Sequence, residues 1–269
     1  DPEQLRRSIR GTAIGNFMEW YDFGVYGYLA TTIARVFYPG TGTSSLIGAF
    51  GTLAAAFAVR PVGGVVFGPL GDRIGRKRVL VTTLLLMTLG TTATGLLPGY
   101  SAIGVAAPIL LVATRMAQGF SAGGEYVGAM VYVGEQAPDN KRGMMAGFLP
   151  LSSQAGYVAA GVLVTVLQSR LTDAEMVSWG WRIPLLLSAP LGMIALYLRL
   201  RLEESPAYEQ TSGQQEDSED SAVRQLGRTA SQWRPLLLCI ALVLTYNVTD
   251  YLLTGYLPTY LQTTAQVPH

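Results

Sequence analysis

The sequence predicts an all-α membrane protein, a bundle of transmembrane helices, on three observations. Of its 269 residues, 49% are hydrophobic and only 14% charged, against about 25% charged in soluble domains. The apolar residues gather into runs of about 20, the length that crosses a bilayer core. Glu19 and Asp22 lie inside one such run, where an ionised carboxylate costs roughly 2.5 to 3.5 kcal/mol at the bilayer centre. The pair therefore marks a proton, ion or substrate site facing a bundle interior. A formal net charge of +1 gives no global basic field and argues against a nucleic-acid partner. The one cysteine, Cys239, excludes an internal disulfide and reads as a buried packing residue. The one histidine, His269, is the last residue, which argues against histidine-centred metal or triad chemistry.

Seven spans follow in order, at roughly 11–38, 46–69, 79–98, 104–136, 143–168, 182–201 and 235–262. The first opens after a polar decapeptide and is too long for a signal-peptide core, so no cleavable signal is expected. The longest imply tilt or extension beyond the bilayer. Their internal Gly, Ser and Pro are tolerated where neighbouring helices satisfy the freed backbone groups. Gly11 with Gly15, Gly119 with Gly123, and Gly143 with Gly147 have the four-residue spacing of close helix contacts.

Charge sorts the connections. Arg6, Arg7 and Arg10 precede span one; Arg73, Arg76, Lys77 and Arg78 follow span two; Lys141 and Arg142 follow span four; Arg199 and Arg201 close span six. All fall on one side of an alternating bundle, with only Arg35, Arg170 and Arg182 near the other. The positive-inside rule then puts the N-terminus and the 202–234 segment in the cytoplasm. That segment is rich in Glu, Gln, Ser and Asp from Glu203 to Ser221 and reads as a hydrophilic linker. The expected organisation is a six-helix bundle over 1–201, a cytoplasmic linker over 202–234 and a further helix over 235–269. Six spans, a long loop and another span read as a two-halved secondary transporter cut short in its second half; a single seven-span bundle competes. A chain that starts without Met and stops just past an apolar run fits a piece of a longer protein.

Helical spacing groups the polar residues. Glu19, Asp22, Phe23 and Tyr26 share one face of span one, and Arg115, Gln118, Ala122 and Glu125 are separated by steps of three or four on span four. Two such stripes suggest one shared cavity. Arg115 facing Glu19 or Asp22 reduces the desolvation cost of both, and a proton arriving on the carboxylate releases the pair. A fixed ion pair of Arg115 with Glu125 is the competing reading. Arg60 is a further buried charge and a possible partner of Glu19 and Asp22, or a side chain snorkelling near a helix end. Glu135 reads as a gating or capping residue. Trp20, Tyr21, Tyr26 and Tyr126 suit an aromatic cage for a quaternary ammonium, or serve as packing and interfacial anchors.

The turn Gly68-x-x-x-Asp72-Arg73-x-Gly75-Arg76-Lys77-Arg78 resembles the signature loop of the major facilitator superfamily. Further matches are Glu19-Trp20-Tyr21-Asp22-Phe23, Arg60-Pro61-Val62-Gly63-Gly64, Gln118-Gly119-Phe120-Ser121-Ala122-Gly123-Gly124-Glu125-Tyr126 and Trp179-Gly180-Trp181-Arg182-Ile183-Pro184. With these the chain resembles the metabolite:proton symporter family. Ala137-Pro138-Asp139-Asn140-Lys141-Arg142-Gly143 and Asn247-Val248-Thr249 make it most similar to the proline/glycine-betaine osmolyte carriers, although related dicarboxylate carriers share most of these motifs. Span five, around Gln154-Ala155-Gly156-Tyr157, lacks a Gly-Pro pair like that of the superfamily's antiporters, which favours symport.

The resemblance implies a major facilitator superfamily bundle of twelve helices in two halves, of which this sequence supplies the N-terminal six and the start of the second half. It implies a multi-pass carrier of the cell inner membrane, with no cofactor, no metal and no enzymatic reaction. Its partners are protons, the lipid bilayer and a small zwitterionic or anionic substrate. In this reading Glu19, Asp22 and Glu125 couple protons. Trp20, Tyr26, Arg60, Arg115, Gln118, Tyr126 and Asn247 bind substrate. Asp72, Arg73, Arg76 and Glu135 gate the cytoplasmic side. The leading function is proton-coupled import of proline, glycine betaine or ectoine. The runner-up is symport of a di- or tricarboxylate such as ketoglutarate or citrate, clamped by Arg60 and Arg115. A membrane sensor using the acidic linker is a third reading.

Overall fold

The computed structural model describes residues 2–40, 43–202, 204 and 232–251. The side chains of Arg6 and Arg7, most of the expected linker and the end of the seventh span lie outside the described residues. The chain divides into two units, Asp1–Gln214 and Gln215–His269.

In the first unit the order is α1 (Pro2–Tyr28), α2 (Ala30–Phe37), α3 (Thr43–Ile74), α4 (Arg76–Leu96), α5 (Tyr100–Ile103) and α6 (Ala106–Gln136). A 3-10 turn at Asp139–Lys141 leads into α7 (Arg142–Arg170); α8 (Asp173–Glu175) and a π turn at Met176–Gly180 lead into α9 (Arg182–Leu200). The second unit contributes α10 (Trp233–Tyr251). Cys239 on α10 is exposed rather than buried, α10 being the one helix of its unit among the described residues.

The expected first span is two helices. Leu29 leaves the α region for φ −92°, ψ 5°, and α2 turns so that Ile33 and Phe37 are fully buried. Phe37 meets Trp181 edge-on at 5.3 Å. Among the described residues, α3, α4, α7 with its preceding 3-10 turn, and α9 are long and apolar enough to cross a membrane. The 27-residue α1 and the 31-residue α6 have the length but not the hydropathy, because they carry the buried polar residues. Large apolar side chains such as Val62 and Val65 on α3, Val158 and Val162 on α7, and Ile194 on α9 point outward. A helix that is apolar on its outer face as well as its inner one matches a lipid surround.

Packing joins each of the first three long helices to one of the last three: α1 lies along α7, α3 along α6 and α4 along α9. Contacts of α1 with α6 and α9 and of α4 with α6 close the bundle. The α3–α6 crossing depends on absent side chains. A Cβ on Gly63 would run into the Phe120 carbonyl, one on Gly119 into that of Ala56, and one on Gly123 into that of Arg60. The Gly143 and Gly147 pair makes no such contact, since both positions face open space. Both lie on the exposed face of that end of α7, whose other face carries Met145 and Leu149 into a cluster with Leu80, Ala129 and Val133.

Candidate functional site

Glu19 and Asp22 occupy neighbouring turns of α1, and both are 1% exposed. Asp22 Oδ2 is 3.0 Å from Arg115 Nη1 on α6 and accepts a hydrogen bond from Gln118 Nε2 at 3.1 Å. Gln118 also donates to Thr91 Oγ1 of α4 at 2.5 Å. The Arg115 guanidinium lies 4.5 Å from the centroid of the Tyr26 ring, and the Tyr26 hydroxyl donates to the Ala49 carbonyl of α3 at 2.9 Å. Of the two partners expected for Arg115, the fold selects Asp22. Among the described residues part of this cluster is unsatisfied: Asp22 Oδ1, Arg115 Nε and Nη2, and Gln118 Oε1 are buried without a partner there. A buried charge costs several kcal/mol unless paired and hydrogen-bonded, so these are atoms poised to take a further polar group.

Glu19 goes to a different helix. Its Oε1 accepts from Arg60 Nη2 of α3 at 2.6 Å. The backbone contact of Arg60 with Gly123 fixes where that side chain starts. The Arg60 guanidinium lies 4.2 Å from the Phe23 ring centroid, 4.7 Å from Phe57 and 6.0 Å from Trp20. Arg60 is therefore an ion-pair partner inside the bundle, and snorkelling does not describe it. The expected cage of Trp20, Tyr21, Tyr26 and Tyr126 is not assembled. Tyr21 turns away to donate to the Pro184 carbonyl at 2.9 Å, Tyr26 lies beside Arg115, and the half-buried Tyr126 is not among the rings around Arg60.

Glu125 stands apart from both pairs. It is ten residues along α6 from Arg115, about 15 Å at 1.5 Å per residue, and it pairs with neither Arg115 nor α1. Arg199 of α9, 0% exposed, grips both carboxylate oxygens: Nη1 lies 2.8 Å from Oε2, and Nη2 bonds Oε1. Thr83 Oγ1 donates to Oε2 at 2.6 Å, while Arg199 also donates to the carbonyls of Leu80 at 2.5 Å and Gly11 at 3.2 Å. Neither Glu125 oxygen is left unpartnered, in contrast to Glu19 Oε2 and Asp22 Oδ1. This lock ties α1, α4, α6 and α9 together. Arg199 was read only as one of the basic residues closing span six; its place at the end of a long apolar run is the signal that was there, while its contacts with Gly11 and Gly15 are tertiary.

At the same end, Arg76 Nη2 lies 2.6 Å from Asp72 Oδ1 and 3.8 Å from Glu135 Oε1, joining α3, α4 and α6. Arg73 is exposed. Gly75, at φ +103°, makes the turn between α3 and α4, and Glu204 Oε1 accepts from the Lys77 backbone N–H at 3.0 Å. Asn247 belongs to α10, where its side chain donates to the Val243 carbonyl of its own helix at 2.8 Å. A cavity of about 670 Å³ lies between the loops at the opposite end and is lined by Arg35, Tyr38, Tyr100, Trp181 and Arg182 among others. None of its lining residues belongs to the buried charge network, so the candidate site is the network on α1, α3 and α6.

The chain's relatives are carriers of small solutes. A family model described as sugar (and other) transporter matches residues 10–235. The proline/betaine transporter of Escherichia coli (strain K12) is 44% identical over 268 residues, covering 97% of this chain and 54% of that protein. The glycine betaine/proline/ectoine/pipecolic acid transporter OusA of Dickeya dadantii is 44% identical over 269 residues, with the same coverage. The chain thus spans about half the length of the curated relatives it matches. The proton:xylose symporter XylE bound to 6-bromo-6-deoxy-D-glucose, a major facilitator superfamily structure, aligns with a TM-score of 0.72 at 17% identity, over 86% of this chain and 52% of that one. A partially occluded inward open XylE from E. coli gives 0.71 at 18% identity, over 91% and 60%. The XylE structures share the fold of this chain, a major facilitator superfamily bundle, and the match over residues 10–235 establishes that the chain belongs to the sugar (and other) transporter family.

Proposed function

We propose that the chain is the N-terminal six-helix half, with the first helix of the second half, of a proton-coupled symporter. It imports a compatible solute such as proline, glycine betaine or ectoine by alternating access. In this reading 1–201 is the bundle, 202–234 a cytoplasmic linker and 235–269 the start of the second bundle. The protein lies in the cell inner membrane with its N-terminus in the cytoplasm, as the clustering of basic residues on one side favours.

The observation that carries the proposal is the half-satisfied pair of Asp22 and Arg115. A proton arriving on Asp22 alone would leave Arg115 buried and uncompensated, and a solute carboxylate arriving alone would face the Asp22 anion. Each event is costly alone and favourable with the other, because a buried charge that loses its partner costs about 3–5 kcal/mol. Protonated Asp22 frees Arg115, whose Nε and Nη2 lack partners, to bind the solute carboxylate; loss of the proton on the far side restores the pair and expels the solute. Gln118 orients Asp22. Glu19 and Arg60 contribute a second charge pair to the same site. Glu125, with both oxygens held, serves as a lock instead of a proton group. Asp72, Arg76 and Glu135 form the cytoplasmic gate, with Arg73 beside it.

The dicarboxylate reading draws support from the three unpartnered N–H groups of Arg60 and Arg115. Each guanidinium, however, is already neutralised by its own carboxylate, so a divalent anion is balanced only when Glu19 and Asp22 are both protonated, whereas the single carboxylate of a zwitterion needs the proton on Asp22 alone.

The test is uptake of labelled glycine betaine by the full-length protein in proteoliposomes, with and without an inward proton gradient. Accumulation only with the gradient, and its loss in Asp22→Asn with solute exchange retained, is the expected result. Accumulation indifferent to the gradient would overturn the proposal, and competition by ketoglutarate but not betaine would favour the dicarboxylate reading.

A further inference from the structure

Arg60 has more company than its ion pair requires. Three rings surround its guanidinium within 6.0 Å, those of Trp20, Phe23 and Phe57, on two helices held at backbone contact distance from α6 or paired through Glu19. Rings arranged around a cation are how proteins recognise quaternary ammonium groups. The side chain of Arg60 is 21% exposed and Phe57 is 37% exposed, so the cage has an open side. Three buried polar atoms beside it lack partners among the described residues: Glu19 Oε2, an acceptor, and Trp20 Nε1 and Arg60 Nε, both donors.

We infer that Arg60 is a built-in occupant of a cation cage, and that the quaternary ammonium of the solute displaces it and takes its place among Trp20, Phe23 and Phe57, beside Glu19. This rests on the zwitterion reading above and adds the rule by which the site selects its solute. The displaced guanidinium stays charged in a site of low polarity and needs a new anion. The carboxylate of the solute itself supplies it, with the Trp20 N–H as a second donor. A cation lacking a carboxylate, such as choline, would expel Arg60 and leave it unpaired, so the wild-type site rejects it although it carries the same trimethylammonium head. Discrimination between betaine and choline therefore resides in Arg60, and affinity for the head resides in the rings.

The experiment is equilibrium binding of labelled glycine betaine and choline to the full-length protein in nanodiscs, with no gradient applied. Arg60→Gln, and Arg60→Met as a second variant that keeps the side-chain volume, remove the resident cation and leave Glu19 to balance an incoming one. Each is expected to bind choline at least about tenfold more tightly than wild type, and adding Phe57→Leu to either is expected to cancel most of that gain. With Arg60 in place, Phe57→Leu alone is expected to weaken betaine about threefold or more relative to proline, which has N–H donors and depends less on the rings. Phe57 is partly exposed, so that variant keeps its fold. Unchanged choline binding in the folded Arg60 variants, or a betaine-to-proline ratio indifferent to Phe57, would overturn the inference. If wild type binds betaine and the Arg60 variants gain no choline binding, only this inference falls; if wild type binds no betaine at all, the zwitterion reading falls with it.

Discussion

Asp22 and Glu125 are equally buried carboxylates, and their neighbours give them opposite roles. Asp22 keeps one oxygen unpartnered, whereas Glu125 is held by two Arg199 nitrogens and the Thr83 hydroxyl. Glu125→Met would strand the Arg199 charge and Arg199→Met the Glu125 charge, each costing about 3–5 kcal/mol. The double variant removes both charges and is expected to recover at least half of that loss, since buried pairs replaced by apolar residues of similar volume are often near neutral. Thermal melts of the four proteins check it; a double variant as unstable as the sum of the singles would show that the pair was not acting as a lock. Sequence spacing placed Glu125 on the Arg115 stripe, but steps of three and four accumulate along a helix, and after ten residues about 15 Å of axial rise separates the two. That spacing identifies a face and says nothing of depth. Arg115 and Arg60 were both legible as possible partners of the two carboxylates, because opposite charges in apolar spans lower each other's cost; which arginine meets which carboxylate was not, and for Arg60 the snorkelling rule fitted a residue near a helix end equally well.

Helix contacts divide the glycine pairs in the same way. A side chain at Gly119 meets the Ala56 carbonyl at the α3–α6 crossing, so Gly119→Val is expected to abolish the folded protein. Gly147→Ala faces open space and should leave stability unchanged or raise it by up to about 1 kcal/mol through helix propensity. Melting temperatures and yields of the two variants decide this, and equal tolerance would remove the crossing from the account. Four-residue glycine spacing is visible in sequence, but whether a partner helix lies opposite is a tertiary fact. The break at Leu29 was hidden for the same reason, because the burial of Phe37 against Trp181 fixes it. Between α7 and α9 the Thr172–Glu175 capping box is complete. Hydrogen bonds from the Thr172 backbone N–H and hydroxyl hold the Glu175 carboxyl below its ordinary value of 4.5. A depressed folded value means the stabilisation is present above the unfolded value and is lost as pH falls through the folded one. Amide exchange at 172–176 should therefore accelerate as pH drops below 4.5, beyond its intrinsic pH dependence, and Glu175→Gln should abolish that extra acceleration; an identical profile in the variant would show that the carboxylate does not hold the turn.

For the whole molecule, the proposed orientation rests on charge and length together. α4 has 21 residues, about 31 Å at 1.5 Å per residue, which matches a hydrocarbon core of about 30 Å. Its first turn carries Arg76, Lys77 and Arg78, and Arg76 reaches Asp72 and Glu135, so the ends of α3 and α6 share that face of the bundle. Lys141 and Arg142 follow α6 closely, whereas α4 ends beside Gly99 and Ser101 in a stretch without charged residues. On the proposed orientation, with positive charge retained on the cytoplasmic side, Asn140 is expected inside and Ser101 outside. With Cys239→Ser as background, Ser101→Cys should react in intact cells with a membrane-impermeant maleimide, and Asn140→Cys only after permeabilisation. Both positions are exposed, so poor access within the fold does not account for a failure to label. The reverse pattern would invert the bundle and turn the Asp72–Arg76–Glu135 cluster into an outer gate, leaving the Asp22–Arg115 pair in place but reversing the side from which its proton is drawn.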